Sequence, residues 1–320
     1  MRFVLAANES IGYECLKILL EEEQDIVGVV TDKRNEGSPW KNLRIKRLAE
    51  ENDIQIYQPK SINDPEFLDL LRKLEPDIIF NIAFIQIYKA PVLNLPRIGC
   101  VNFHPGPLPR YGGLNPWVWA IINNEREYGI TLHYMKEKVD AGEILRTVKF
   151  PIAKDETGIS LLMKCYKQGA ALFREVVRDM TEDKISSIPQ DLTQRTYYLT
   201  KVPFGGFIDI GWNAAKIERF VRAMTFAPIP NPYSPPMVRF NGNDLIITKA
   251  EVMEQKPNKQ EVAGRVIRMN HDGVIMRTED GQIKLNLSDK SNPKSDWKEL
   301  SGRIGISVGS ILGDKTASLY

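Results

Sequence analysis

The 320-residue chain has little cysteine and little histidine, three of each. Cys15, Cys100 and Cys165 lie far apart, without CxxC spacing or a neighbouring histidine cluster, which excludes a disulfide framework and a zinc site. Their apolar flanks predict buried free thiols. No run approaches the roughly 20 apolar residues that a spanning helix needs. The N-terminus, MRFVLAANES, turns polar too early for a signal peptide and reads as a buried first strand. A cytoplasmic protein with no membrane partner is expected. Charge of one sign is lacking too: 43 Lys and Arg against 41 Asp and Glu leave a net +2, too little to argue for nucleic acid. After the first strand there is neither a GxSxG elbow nor a GxGxxG, and no Walker A loop is present, so acyl-serine, nucleotide-hydrolysing and dinucleotide chemistries lack their usual parts there. Residues 237–320 hold only Phe240, Trp297 and Tyr320 as aromatics, which speaks against a barrel that stacks single-stranded bases.

What is present is an alternation of short apolar and amphipathic runs. RFVLAA, DIVGVVTD, DIQIYQP, PDIIFNIAF and GCVNFH are separated by segments such as IGYECLKILLEEE and PEFLDLLRKLEP. That alternation predicts βαβ units and a mostly parallel sheet covered on both faces. Ligands of such sheets bind beyond the carboxyl ends of the strands. Four segments are expected there or in the following loops: NES, FIQIY, NFHPGPLP and KVDAGEI. From Gly158, ISLLMKCYKQGAALFREVVRDM has helical spacing and is expected to pack across the sheet. After a proline-rich crossing, APIPNPYSPP, short strand-like runs separated by NGN, HDG and EDG turns predict a small antiparallel barrel or sandwich. The expected division is a catalytic domain over 1–188, a linker over 189–204 and a β-rich domain over 205–320.

NFHPGPLPRYGG places Asn102 and His104 two apart at a strand end, so both point to one face. An amide N–H suits a developing oxyanion, and an imidazole accepts a proton near neutral pH. A carboxylate to orient that imidazole is still needed. Asp140, in KVDAGEIL, is placed to supply it or merely to cap its turn; spacing does not choose between these.

The ordered set N-F-H-P-x-P-L-P-R-Y-x-G, G-I-T-L-H-Y-M and V-D-A-G-E-I resembles the 10-formyltetrahydrofolate-dependent formyltransferase family. The likeness covers most of the chain and is nearest to amino-sugar N-formyltransferases of the aminoarabinose type, then to methionyl-tRNA formyltransferase. It implies the formyltransferase fold, a Rossmann-like α/β domain followed by a small β-barrel-like (OB-like) domain. It also implies that Asn102, His104 and Asp140 form the catalytic group: His104 shuttles the proton, Asn102 holds the oxyanion and Asp140 orients His104. By the same resemblance the co-substrate is 10-formyltetrahydrofolate, bound between Gln86, Ile87 and Tyr88 on one wall and Lys136, Glu137, Lys138, Val139 and Asp140 on the other.

Two departures stand out. Many relatives carry Ser two residues after the histidine, where this chain has Gly106, and an Arg before the loop glycine, where it has Gly112. A missing guanidinium removes a phosphate or carboxylate partner. Tyr111, Trp117 and Trp119 are candidates for stacking on an acceptor, with at least one tryptophan expected in the core. Asn8, Glu9 and Ser10 form either an acceptor-binding loop or a solvated turn. The leading expectation is formyl transfer to a primary amine of a small molecule, above all a nucleotide-linked amino sugar. Methionyl-tRNA stands second, because TDKRNEGSPWKNLRIKR is short and its charge scattered. An N-hydroxyornithine-type precursor is a further acceptor. Oligomeric state is left open, a homodimer among the options.

Overall fold

The computed structural model describes residues 1–32, 43–200, 202–227, 229, 231, 233–253, 262–293 and 295–313. Most of the loop weighed above for tRNA, residues 33–42, lies outside them. The chain forms two compact units. The first comprises Met1–Trp117, Glu127–Pro151 and Leu162–Leu199; the second takes Val118–Arg126, Ile152–Leu161 and the chain from Thr200 on.

In the first unit, β1 (Arg2–Ala7), α1 (Glu9–Glu21), β2 (Asp25–Val30), α2 (Leu43–Glu50), β3 (Ile56–Tyr57), α3 (Pro65–Leu74) and β4 (Ile78–Ile82) succeed one another as alternating strands and helices. There follow α4 (Ala90–Leu93), β5 (Gly99–His104), β6 (Gly112–Gly113), α5 (Pro116–Ile122), β7 (Glu127–Tyr134), β8 (Ile144–Pro151), α6 (Gly158–Thr181) and β9 (Tyr197–Tyr198), of which α5 from Val118 on and α6 up to Leu161 belong to the second unit. Seven strands make the main sheet in the order β3-β2-β1-β4-β5-β7-β8. The pairs from β3 to β5 are parallel, and β7 and β8 are added antiparallel. β6 and β9 pair separately.

Every residue of Phe3–Ala7 is fully buried because both faces of β1 are covered. Strand alternation sorts the core into two layers. Val4, Ala6, Ile79 and Cys100 pack with Phe67 and Leu71 of α3 and with Val92 of α4. Phe80 stacks on Phe3 at 5.6 Å between ring centroids and meets Phe173 of α6 edge-on at 4.7 Å. Gly169 lets α6 press against Phe103. Asn102 and His104 share the parity of Cys100 and so stand on the face opposite α6. All three cysteines are buried, and none forms a disulfide.

In the second unit, α7 (Ala214–Ala223) begins at Asn213, whose side chain accepts from the Lys216 N–H, and buries Ile217, Phe220 and Val221. β10 (Met237–Phe240), β11 (Asn243–Met253), β12 (Val266–Asn270), β13 (Gly273–Arg277) and β14 (Gln282–Asp289) form an antiparallel sheet, and α8 (Trp297–Ile304) follows. Its order is β10-β11-β14-β13-β12. The NGN signal is a two-residue hairpin: Phe240 pairs with Asn243, and Asn241 and Gly242 both take positive φ, 48° and 76°. Among the described residues no helix is long and apolar enough to cross a membrane.

Candidate functional site

Register builds the site before any loop does. Asn81 of β4 lies beside Asn102 of β5, and Asn102 beside His133 of β7. Three polar side chains therefore form a row across three neighbouring strands on one face. Asn81 Nδ2 donates to Asn102 Oδ1 at 2.8 Å, and Asn102 Nδ2 lies 3.0 Å from His133 Nε2. His133 Nδ1 sits 2.8 Å from the Tyr134 carbonyl, which can only accept, so Nδ1 carries the proton and Nε2 accepts from Asn102. One of the two Asn102 amide protons remains for another acceptor.

His104 ends β5. Its Nε2 donates to the Tyr111 carbonyl at 2.7 Å, which turns Nδ1 toward Asp140 Oδ1, 3.6 Å away. The same carboxylate oxygen lies 3.7 Å from His133 Nε2, and Asp140 Oδ2 accepts the Gly113 N–H at 2.8 Å. His104, His133 and Asp140 are all buried. Burial pulls the His133 imidazole down to about 4, against the opposing attraction of Asp140 and with repulsion from His104. His133 is therefore neutral at physiological pH, as its hydrogen bond from Asn102 requires.

Asp140 reaches this place by an unexpected route. β7 runs antiparallel to β5, with Tyr134 opposite Val101 at the start of β5 and Thr131 opposite His104 at its end. The loop after β7 thus leaves from the far end of the sheet and doubles back along its face, rather than continuing beyond a shared carboxyl end. Four non-glycine residues with left-handed φ occupy the site segments: Glu9 (61°), Ala83 (52°), Tyr111 (60°) and Asp140 (55°). Such strain persists where surrounding structure holds it.

The remaining sequence-derived residues have distinct placements. Gln86 Oε1 accepts from Ile62 N at 2.6 Å, anchoring its loop, and Tyr88 is buried with its hydroxyl 3.5 Å from Asn81 Oδ1. Ile85 and Ile87 are 64% and 67% exposed, so both present apolar side chains to solvent. Lys136, Glu137, Lys138 and Val139 are exposed, and Lys136 pairs with Glu143 at 3.4 Å. Asn8 is fully buried: its Oδ1 accepts from Asp32 N at 3.1 Å and its Nδ2 donates to Ala83 O at 3.2 Å, tying the ends of β1, β2 and β4. Glu9 is turned toward α6, where Tyr166 donates to it, and burial raises its carboxyl above the usual range. Ser10 is exposed. Tyr111 is buried, its ring stacked on Tyr198 at 5.6 Å, so its main chain rather than its ring faces His104. Trp117 is buried in the first unit.

His133 and Asn81 are the members that sequence reasoning passed over. Their signal was a polar residue inside an otherwise apolar strand, PDIIFNIAF and GITLHYM, where burial demands a partner.

A Rossmann-like sheet whose face carries amides, imidazoles and one carboxylate offers donors for a developing oxyanion and groups that can move a proton. Residues 1–177 match the model of the formyl transferase family and residues 204–299 that of the formyl transferase C-terminal domain, so the chain belongs to the formyl transferase family and is an enzyme of that class. The methionyl-tRNA formyltransferase of Halalkalibacterium halodurans is 32% identical over 327 residues, covering 99% of this chain and 100% of that protein. Among solved structures, the sugar 3N-formyl transferase WlaRD, determined with dTDP and 5-N-formyl-THF, shares the fold at a TM-score of 0.69 and 22% identity, covering 90% of this chain and 97% of its own. The N-formyltransferase of Helicobacter canadensis, complexed with folinic acid and dTDP-3-aminofucose, does so at 0.70 and 21%, covering 89% and 98%.

Proposed function

We propose that the enzyme moves the formyl group of 10-formyltetrahydrofolate to a primary amine of a small molecule, a nucleotide-linked amino sugar, with Asn102, His104 and Asp140 around the reacting carbon. The observation that carries this reading is the convergence of the free Asn102 N–H, the Nδ1 of His104 and Asp140 Oδ1 on one buried face. The amine attacks the formyl carbon, and the carbonyl oxygen gains charge that the Asn102 N–H stabilises. The His104–Asp140 pair takes a proton from the attacking nitrogen. Collapse breaks the bond between that carbon and N10 of the folate, which receives a proton as it leaves. His133, neutral, fixes the Asn102 amide by accepting its other proton.

The exposed Ile85 and Ile87 after β4, and Val139 (39% exposed) after β7, lie on loops following the two neighbours of β5. Apolar side chains so placed suit the flat faces of a pteridine. The solved sugar formyltransferases named above support an amino-sugar acceptor. A second reading, methionyl-tRNA as acceptor, is favoured by the full-length likeness to methionyl-tRNA formyltransferases.

The test is an acceptor panel with 10-formyltetrahydrofolate: dTDP- and UDP-amino sugars, N-hydroxyornithine and charged initiator tRNA. An N-formylated nucleotide sugar is the expected product, and formylated tRNA alone would select the second reading. His104→Ala is expected to lower turnover about a hundredfold or more with the fold intact; parental turnover in that variant removes the assignment.

A further inference from the structure

We propose that the segment from Ile188 to Tyr198, which leads out of the first unit, is a clasp that positions both ionisable members of the catalytic group, with Thr196 and Gln190 as its positioning residues. This rests on the reading of His104 and Asp140 given above.

The clasp grips the site from two sides. On one side it holds β6. Thr196 Oγ1 accepts the Tyr111 N–H at 2.8 Å, the Thr196 carbonyl accepts the Gly112 N–H at 3.0 Å, and the Tyr198 carbonyl accepts the Leu114 N–H at 2.8 Å. Gly112 and Gly113 pair in parallel with Tyr197 and Tyr198. The glycines make this approach possible: a Cβ on Gly112 would stand 2.8 Å from the Tyr197 ring, and one on Gly113 would stand 2.2 Å from the Tyr198 carbonyl oxygen. The space that an arginine at 112 would enter is therefore filled by the clasp itself.

On the other side it holds the Asp140 loop. Gln190 Nε2 donates to the Asp140 carbonyl at 3.1 Å and to the Gly142 carbonyl at 2.6 Å, and Arg195 donates to the Val139 carbonyl at 3.0 Å. Ile188 and Ile144 exchange both backbone bonds at 2.8 Å.

The consequence falls on one proton. β6 and the residue before it supply the Tyr111 carbonyl to His104 Nε2 and the Gly113 N–H to Asp140 Oδ2. With Nε2 committed as a donor, the nitrogen that exchanges protons is Nδ1, the one facing Asp140. Gly106 guards the same contact: a Cβ there would lie 2.6 Å from His104 Nε2 and 2.5 Å from the Tyr111 oxygen, wedged between donor and acceptor. Thr196 touches the main chain of Tyr111 and Gly112 and acts on the chemistry only through them.

The test uses the full chain carrying Thr196→Val, Thr196→Ser or Gln190→Ala, with two readouts. Steady-state kinetics over pH are expected to show kcat reduced about tenfold to a hundredfold in Thr196→Val. KM for both substrates should stay within about twofold, with a displaced pH profile of kcat and recovery in Thr196→Ser. Gln190→Ala is expected to lower kcat in the same sense. In parallel, NMR of histidine labelled with nitrogen-15 follows the Nε2–H of His104, assigned by its loss in His104→Gln. It should be protected from exchange in the parent and in Thr196→Ser, and unprotected in Thr196→Val. Parental kcat, pH profile and Nε2–H protection in Thr196→Val and Gln190→Ala together overturn the clasp. If the parent formylates no amine yet its Nε2–H responds to Thr196→Val, the clasp stands and the assigned chemistry falls.

Discussion

At His133, burial outweighs the attraction of Asp140 and drags the imidazole from its ordinary 6.5 to about 4. Between those values the unfolded chain binds a proton that the folded chain refuses. Its stabilising contribution is thus complete above about pH 6.5, declines as pH falls through that window and is gone near pH 4. This group alone is expected to remove about 2 kcal/mol of stability between about pH 7.5 and about pH 5. His133→Gln, which keeps an acceptor for Asn102, should flatten that part of the curve in urea unfolding measured at the two pH values. An unchanged slope means that His133 is not the group refusing the proton. The residue was readable in principle, since GITLHYM places a polar side chain in a buried strand. Its partner was not, because the pairing of His133 with Asn102 depends on register between strands separated by a turn and a helix.

Helix α6 shows an opposition between local propensity and packing. Replacing Gly169 by alanine should favour the helix by about 1 kcal/mol. The new Cβ, however, would lie 2.2 and 2.3 Å from two atoms of the Phe103 ring and 2.8 Å from Ile130 Cδ1. Phe103 is buried against the sheet, and overpacking of this kind costs about 1–3 kcal/mol, so packing wins. Gly169→Ala is expected to lower unfolding free energy by about 1 kcal/mol in urea titration; a gain would mean that the ring swings clear. The helix itself was legible, as were the buried strands β1, β4 and β5, because parallel strands covered on both faces read as near-continuous apolar runs. The reversal of β7 was not. It makes KVDAGEI double back along the sheet, and hydrophobic period carries no information about strand direction. Nor did TQRTYYLT advertise its pairing with Gly112 and Gly113, since a two-residue strand has no period to read.

For the molecule as a whole, a net charge of +2 with both signs abundant gives no general field for a polyanion. A small nucleotide-linked acceptor, gripped by few contacts, should lose less than about tenfold in kcat/KM between 50 and 200 mM salt, whereas an acceptor held through 6–10 backbone phosphates would lose about a thousandfold or more. Steady-state rates across that range separate the two acceptor classes without naming either. The double-domain match and the mostly parallel sheet followed by an antiparallel one agree with the architecture expected from the alternating and then turn-rich halves of the chain. The acceptor stayed out of reach because specificity resides in loops, where no periodic constraint narrows the choice.

The Tyr111 N–H finds its acceptor on Thr196, 85 positions further along the chain. By the proposed clasp, a ribosome that has delivered His104 and Asp140 has still to deliver the residue that sets their geometry. If the clasp sets that geometry as proposed, the growing polypeptide acquires competence only once Tyr198 has cleared the exit tunnel.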